Sequence, residues 1–468
     1  MIPRARVLAA VVAVAALGTA AWCMLVARPS GPPNIVLVVW DTCRADRLSA
    51  YGYPKPTSPW LEGFARDAVL FQEAFSPSPW TPPAHASLFT GLLPENHGLH
   101  HGLGDRVPKH IPLLAETLRA GGYETIGFSS NAFVSPVTGL DAGMGRLVPL
   151  HTDETGIGTA EQVQEAVEAW LRERRALPPD GQRRPLFVFI NLMDAHLPRR
   201  PDAEDFEAVL GSPAVPRAVS NAAAVDQRRA LSHLLGIVPL DAPTLEAMGP
   251  VYDAAVRHLD RKTGDILGLL RADGILDDAV VAIAGDHGEH LGEHGHLSHQ
   301  MSLYDPVLRI PLVVRWPGRL EGGRIERAQV RLQDLHPTLL EAAGIPPPPG
   351  TALDALSLAE SPLRARVHRA SFARPLPFVP EVRGEFPGAP ATAFDKFELS
   401  IRATQEPTLS PGSRKHLVYE RGSESAPGAL EREELFDLAA DPGERNNLLV
   451  GPARERERAT ADRLLPGK

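Results

Sequence analysis

The stretch Asn34–Tyr53 reads NIVLVVWDTCRADRLSAYGY. Its opening residues, Ile35 to Val39, are an unbroken apolar run that ends at Trp40-Asp41. A strand exposed on one face alternates apolar and polar residues, whereas an unbroken run marks a strand covered on both faces, as in a parallel sheet between helices. Similar runs recur at Pro185–Asn191, Ala279–Ala284 and Ile310–Arg315. Helical patterns interleave with them, such as Val163, Ala166, Val167, Trp170 and Leu171 at i, i+3, i+4, i+7, i+8. Strand and helix alternate, so the core is expected to be α/β. In such sheets ligands gather outside the carboxyl ends of the strands. Asp41 closes the first run, Met193-Asp194-Ala195-His196 follows the second, and Gly285-Asp286-His287-Gly288 follows the third.

A metal that activates an ester needs hard oxygen ligands, to which one imidazole can be added, and an open position for the substrate oxygen. Asp41, Asp286 and His287 supply such a set, each at the expected end of a strand. An Asp-His pair between an apolar strand and Gly288 suits a tight turn that aims both side chains at one ion. Taken singly, each has a plainer reading, since a strand-end Asp commonly caps a helix. His290, His294 and His296 fit either a second ion site or a solvated turn, and Cys43 reads as a small buried hydrophobe.

The 468 residues carry a formal net charge of −9 with scattered Lys and Arg, which argues against a nucleic-acid partner. Two cysteines, Cys23 and Cys43, offer no disulfide framework. At the N-terminus Arg4 and Arg6 precede an uncharged run, Val7 to Ala27, closed by Arg28 and Pro29. As a helix this run reaches roughly 32 Å, enough to cross a bilayer core, and the preceding arginines favour a cytoplasmic N-terminus. Thr19-Ala20-Ala21 equally offers a cleavage site. Residues 1–30 are therefore read as a signal-anchor or a signal peptide. The rest is expected to be extracytoplasmic, either membrane-anchored through this segment or periplasmic or secreted. Residues 33–350 read as the catalytic domain, ended by the proline run Pro346–Gly350, and 351–468 as a C-terminal subdomain. Pro198–Asp241, Ala- and Pro-rich, reads as an insertion or cap, and Ala370–Gly412 has little periodicity.

Further segments carry a family resemblance. Asn34–Tyr53, then SPSPWTPPAHASLFTGLLPENHG from Ser76, GDHGEHLGEHG from Gly285 and SLYDPVLRIPLVVRWPG from Ser302 resemble the successive signatures of the sulfatase family, within the alkaline-phosphatase superfamily. LAETLRAGGYETIGFSSN from Leu114, YDAAVRHLDRKTGDILGLLRADGILDD from Tyr252, LQDLHPTLLEAAGI from Leu332 and ELFDLAADPGERNNL from Glu434 are also similar to it, so the likeness covers nearly everything after residue 33. It implies a mixed, mostly parallel sheet flanked by helices, with a small C-terminal α+β subdomain. It further implies one divalent metal ion (Ca, Mg, Mn or Zn) on Asp41, Thr81, Asp286 and His287.

The departure from the family lies at Thr81. The family's motif reads Cys or Ser, any residue, Pro, any residue, Arg, and its first residue is oxidised to formylglycine. Here Thr81-Pro82-Pro83-Ala84-His85 stands in that place. Oxidised threonine is a ketone, not an aldehyde, so the modification is not expected. A formylglycine hydrate has two hydroxyls, one to attack and one to expel sulfate; threonine has one. A Thr81 alkoxide can attack phosphorus and the phospho-threonine can be hydrolysed by water, which leans the chemistry toward phosphoryl transfer. Sulfate esters stay open through a metal-bound water, and Thr81 could also be only a helix cap. The resemblance makes His196 a substrate contact able to protonate a leaving oxygen, puts His299 where the family carries a lysine or histidine, and leaves His85 in place of an arginine, able to steady an anion only when protonated.

The expected activity is hydrolysis of sulfuric or phosphoric esters, with an anionic ester of a glycan, lipid or small molecule as partner. Two alternatives remain: a transferase moving a phospho-alcohol group onto a lipid or glycan, and a degenerate, non-catalytic binder of anionic glycans. The retained Asp41, Asp286 and His287 argue against the last.

Overall fold

The computed structural model of the protein describes residues 31–101, 104–151, 157–178, 184–299, 301–360, 363, 367–372, 399–406, 413–421, 430–450 and 454–464. The run Val7 to Ala27, on which the membrane and export reading rests, lies outside them, as does much of 370–412. Among the described residues no helix is long and apolar enough to cross a membrane.

An eight-stranded sheet forms the centre. Its strands are β1 (Ile35–Trp40), β2 (Val69–Phe71), β3 (Glu124–Ser129), β4 (Arg146–Pro149), β5 (Leu186–Leu192), β6 (Val280–Gly285), β7 (Leu312–Arg315) and β8 (Arg324–Glu326). They lie in the order β8-β2-β7-β6-β1-β5-β3-β4. β1 is central, parallel to β5 and to β6, with Trp40 level with Leu192 and Gly285. Only β7 runs against its neighbours. The level carboxyl ends of β1 and β6 bring Asp41 and Asp286 out side by side.

Both faces of β1 are covered, which is why its sequence shows no alternation. Val36, Val38 and Trp40 pack with Val163, Val167, Trp170 and Leu259 on one side. Ile35, Leu37 and Val39 pack with Leu88, Phe89, Leu335 and Leu339 on the other. Each side chain so buried stabilises the fold by about 1.5–3 kcal/mol relative to its exposed state. The covering helices include α1 (Thr81–Thr90), α2 (Ala160–Arg175) and the long α6 (Ala242–Ala272). α2 starts where the Thr159 hydroxyl accepts from the Gln162 amide and the Gln162 side chain accepts from the Thr159 amide.

The run Ile310–Arg315 is not one strand. Arg309–Ile310 pairs with Ala74–Phe75 in a separate small sheet, and β7 begins after Pro311. Proline has no N–H to give to a ladder, so the chain changes partner there. Residues 198–241 contain three short helices, α3 (Ala203–Leu210), α4 (Arg217–Ala223) and α5 (Gln227–Leu234). The C-terminal part is α+β: strands β9 (His368–Phe372), β10 (Leu399–Gln405), β11 (Arg414–Arg421) and β12 (Leu430–Asp437) form an antiparallel sheet, against which the helix α7 (Arg454–Leu464) packs through Ala461 and Leu464. Buried Lys415 ties this sheet to the catalytic body, 2.7 Å from Asp305 Oδ1 and 2.8 Å from Glu444 Oε1.

Candidate active site

Asp41 follows β1, and its carboxylate is wholly buried. Oδ2 accepts from Asn131 Nδ2 at 2.8 Å and from the Thr81 hydroxyl at 3.3 Å. Asp286 follows β6; its Oδ1 accepts from the backbone amides of Thr42 (3.1 Å) and His287 (2.8 Å). The turn that holds these groups is tight: Thr42 is left-handed at φ 55°, and Tyr252 braces it by donating to Thr42 O at 2.7 Å. Gly288 lets the next turn pass close to Pro306, whose carbonyl oxygen would lie 2.1 Å from an added Cβ.

His287 donates from Nδ1 to Gly288 O at 3.0 Å, which leaves a lone pair on Nε2. One ligand atom from each of Asp41, Asp286 and His287 lies within 4.8 Å of the others. Asp41 Oδ1 and Asp286 Oδ2 are buried and have no hydrogen-bond partner. Burial pushes both carboxyls up to about 7, and in Asp41 the neighbouring Asp286 charge adds to it. Converging acceptors without donors are what a cation relieves, so this donor set fits one divalent ion. Oxygen ligands with one imidazole accept several such ions.

Thr81 is the first residue of α1, but it does not cap the helix, since Trp80 holds the cap position, and no side chain makes a capping bond there. Its Oγ1 instead lies 3.3 Å from Asp41 Oδ2, 3.4 Å from His287 Nε2 and 3.2 Å from Asn131 Nδ2. The plain capping alternative is thereby corrected. Asn131, just past β3, accepts the Phe133 amide on Oδ1 at 2.8 Å, which turns its NH2 toward Thr81 and Asp41.

His85 does not stand at the open side of the site, where an arginine would meet an anion. One turn after Thr81 it lies under that residue, wholly buried, edge-on to Phe89 and Phe189. Nδ1 donates to Thr81 O at 3.2 Å and lies 3.5 Å from Asp286 Oδ2. Burial lowers it to about 3, so it is neutral, and the anion-steadying role expected of a protonated His85 does not fit this position.

His196 and His299 do come together with His287: the His299 ring centroid is 4.6 Å from that of His287 and 5.3 Å from that of His196. His196 donates from Nδ1 to Leu197 O. His299 Nδ1 donates to Glu289 Oε1 at 3.3 Å, and Glu289 is itself paired with buried Arg199. Burial lowers His196 to about 4 and His299 well below the usual imidazole range. His290, His294 and His296 build no second ion site among the described residues: His290 Nε2 bonds Ser302 Oγ at 2.8 Å, and His294 stacks on Tyr304. A cavity of about 960 Å³ opens near Arg44, Arg309 and Arg445, but Asp41, Asp286 and His287 do not line it.

Asn131, Glu289 and Arg199 had no role in the sequence reading. The strand-end rule that singled out Asp41 applies equally to Asn131, after Glu124–Ser129.

The family model described as Sulfatase matches residues 33–345. The chain belongs to the sulfatase family. Among curated relatives it is similar to choline-sulfatase of Rhizobium meliloti, 26% identical over 92% of this chain and 85% of the relative. It is also similar to human arylsulfatase A, 27% identical over 90% of this chain and 84% of the relative. Among solved structures it shares its fold with the phosphonate monoester hydrolase of Agrobacterium radiobacter: TM-score 0.66, 19% identity, 92% of this chain and 93% of that one. The mostly parallel sheet with its C-terminal antiparallel sheet is the sulfatase fold.

Proposed function

We propose that this sulfatase-family chain is an extracytoplasmic, metal-dependent hydrolase of anionic esters in which unmodified Thr81 is the nucleophile. The observation that carries this reading is the setting of Thr81 Oγ1, which meets Asp41, Asn131 and His287 instead of capping its helix. Asp41, Thr81, Asp286 and His287 would hold the ion. When bound, it supplies positive charge that favours the Thr81 alkoxide and offsets the ester oxygens.

The residues then divide the work. Asp41 Oδ2 accepts from the Thr81 hydroxyl, and Asn131 Nδ2 donates to Thr81 Oγ1, which stabilises negative charge on that oxygen. Thr81 Oγ1 gives up its proton toward Asp41 Oδ2 and attacks phosphorus or sulfur, the bond to the leaving oxygen breaks, and that oxygen takes a proton from His299 or His196 in its protonated form. Both imidazoles are neutral at rest because they are buried, and an entering anion favours their protonated forms. Water then cleaves the covalent ester on Thr81. With one hydroxyl, Thr81 cannot expel sulfate by re-forming a carbonyl, so phosphate mono- or diesters should be turned over at least as well as sulfate esters.

Peptide mass spectrometry after incubation with aryl phosphate and aryl sulfate tests this. A phosphoryl adduct, or a sulfo adduct, is expected on the peptide holding Thr81, which is otherwise unmodified. Efficient sulfate hydrolysis with no adduct and inert phosphate esters would overturn the nucleophile assignment.

A further inference from the structure

Two residues of the 198–241 segment connect to His299 through an intermediate side chain, Arg199 near its start and Gln227 further along. Arg199 is almost fully buried; its Nε donates to Ala195 O at 2.9 Å and its guanidinium lies over the Tyr252 ring at 5.0 Å. It pairs with Glu289, whose other oxygen accepts from His299 Nδ1. Further along, Gln227 opens α5. Its Nε2 donates to Ser298 Oγ at 3.0 Å, and its Oε1 lies 3.3 Å from the same hydroxyl. Ser298 Oγ lies in turn 3.3 Å from His299 Nδ1.

The backbone here needs such a restraint. Ser298 has φ 66° and Met301 φ 68°, left-handed values that side-chain-bearing residues seldom keep unless their surroundings impose them. α5 is well placed to impose them, because Leu231 and Leu234 pack into the cluster of Trp80, Met301 and Leu303.

We propose that the 198–241 segment positions the leaving-group acid: Arg199 through Glu289, and Gln227 through Ser298, occupy His299 Nδ1 and hold Nε2 toward the ester. This rests on the reading of His299 as a proton donor. In the step concerned, His299 acts as the imidazolium, its second proton taken up from solvent as the anionic ester enters; the bond from phosphorus to the leaving oxygen breaks, its electron pair stays on that oxygen, and the Nε2 proton moves there. The other proton stays on His299 Nδ1, hydrogen-bonded to Glu289, so the ring ends the step neutral. Arg199, Gln227 and Ser298 are positioning residues that act through the loop.

The test uses the full chain with a series of aryl and alkyl phosphate monoesters of graded leaving-group acidity. A nitrophenolate leaves without a proton, whereas an alkoxide needs one. His299→Ala is measured first; a loss equal across the series removes the proton-donor reading itself. If that loss is graded, Gln227→Ala and Ser298→Ala should each lower kcat about tenfold for alkyl esters and less than about twofold for 4-nitrophenyl phosphate, with KM unchanged. Gln227→Glu, which keeps an acceptor for the Ser298 hydroxyl, should recover part of the loss. No loss, or a uniform loss, in both variants beside a graded loss in His299→Ala overturns the positioning role and leaves the role of His299 intact.

Discussion

Thr81 is held by three side chains from three different strand ends, so its removal should disable chemistry without unfolding the helix that begins with it. Alanine is the better helix former, and no capping bond is lost. Thr81→Ala is expected to lower kcat/KM by roughly three orders of magnitude or more, since nucleophile and metal contact go together. Near-normal turnover in that variant would make a metal-bound water the attacking group. Asn131 gives a second, smaller effect. Its Nδ2 donates to both Thr81 Oγ1 and Asp41 Oδ2, and losing an oxyanion donor of this kind costs about a hundredfold in kcat. Asn131→Ala should show that loss with little change in KM, as steady-state kinetics on an aryl phosphate would reveal; an equal rise in KM with unchanged kcat would instead make it a binding residue.

Between elements, the clearest electrostatic joint is His258 on α6. Its Nδ1 lies 2.9 Å from Asp205 Oδ2 on α3, and its Nε2 3.1 Å from Glu161 Oε1 on α2. Burial alone would lower its pKa, but Asp205, Glu161 and Asp194 together outweigh burial and raise it to about 9. An unfolded imidazole titrates near ~6.5. A folded value above the unfolded one gives stability that is complete below about pH 6.5 and is lost as pH rises through about 9. The gap in thermal midpoint between the wild type and His258→Gln should therefore narrow across that window, as scanning calorimetry in matched buffers can follow; a gap that stays constant would show that His258 contributes by packing alone. Joints of this sort also mark how far the sequence could be read. β1, β5, β6 and α2 were legible because their apolar pattern is local, and so were Asp41, Asp286 and His287 at strand ends. Asn131 meets Asp41 across 90 residues, and Glu289 meets Arg199 across the same separation. Nothing local marks such a partner. His85 was misplaced for a related reason: its motif position says that it neighbours Thr81, but the direction of the helix face decides that it points into the sheet.

For the whole molecule, the donor set and the polarity of the sheet each lead to an expectation. Asp41 and Asp286 are two buried carboxylates side by side, each pushed up to about 7 by burial, so an ion that binds the folded state alone should stabilise it. Chelation is expected to abolish activity and lower the melting temperature, and Mg, Ca, Mn or Zn should restore both; full activity of protein shown by elemental analysis to be metal-free would remove the metal from the reading. The second expectation concerns the N-terminus. The chain enters β1 at Ile35, and the site lies beyond Trp40 at the other end of that strand, about 20 Å away at ~3.3 Å per residue. A tether preceding Gly31 therefore joins the body at the end of the sheet opposite the catalytic groups. Such an enzyme would present its site away from its attachment, where soluble esters reach it as readily as in a released form. Two arginines before an uncharged run predict that this body is exported, so a reporter fused after residue 30 should be active only where it requires translocation, and reporter activity in the cytoplasm would contradict export. Membrane fractionation with an alkaline wash then separates the two forms that the run allows: an anchor keeps the chain in the pellet, whereas a cleaved signal releases a chain lacking its first residues. On either outcome kcat/KM toward a soluble aryl phosphate should agree within about twofold between full-length protein in detergent and protein proteolytically freed of its N-terminal segment, because the contacts of the site among the described residues come from the other end of the sheet.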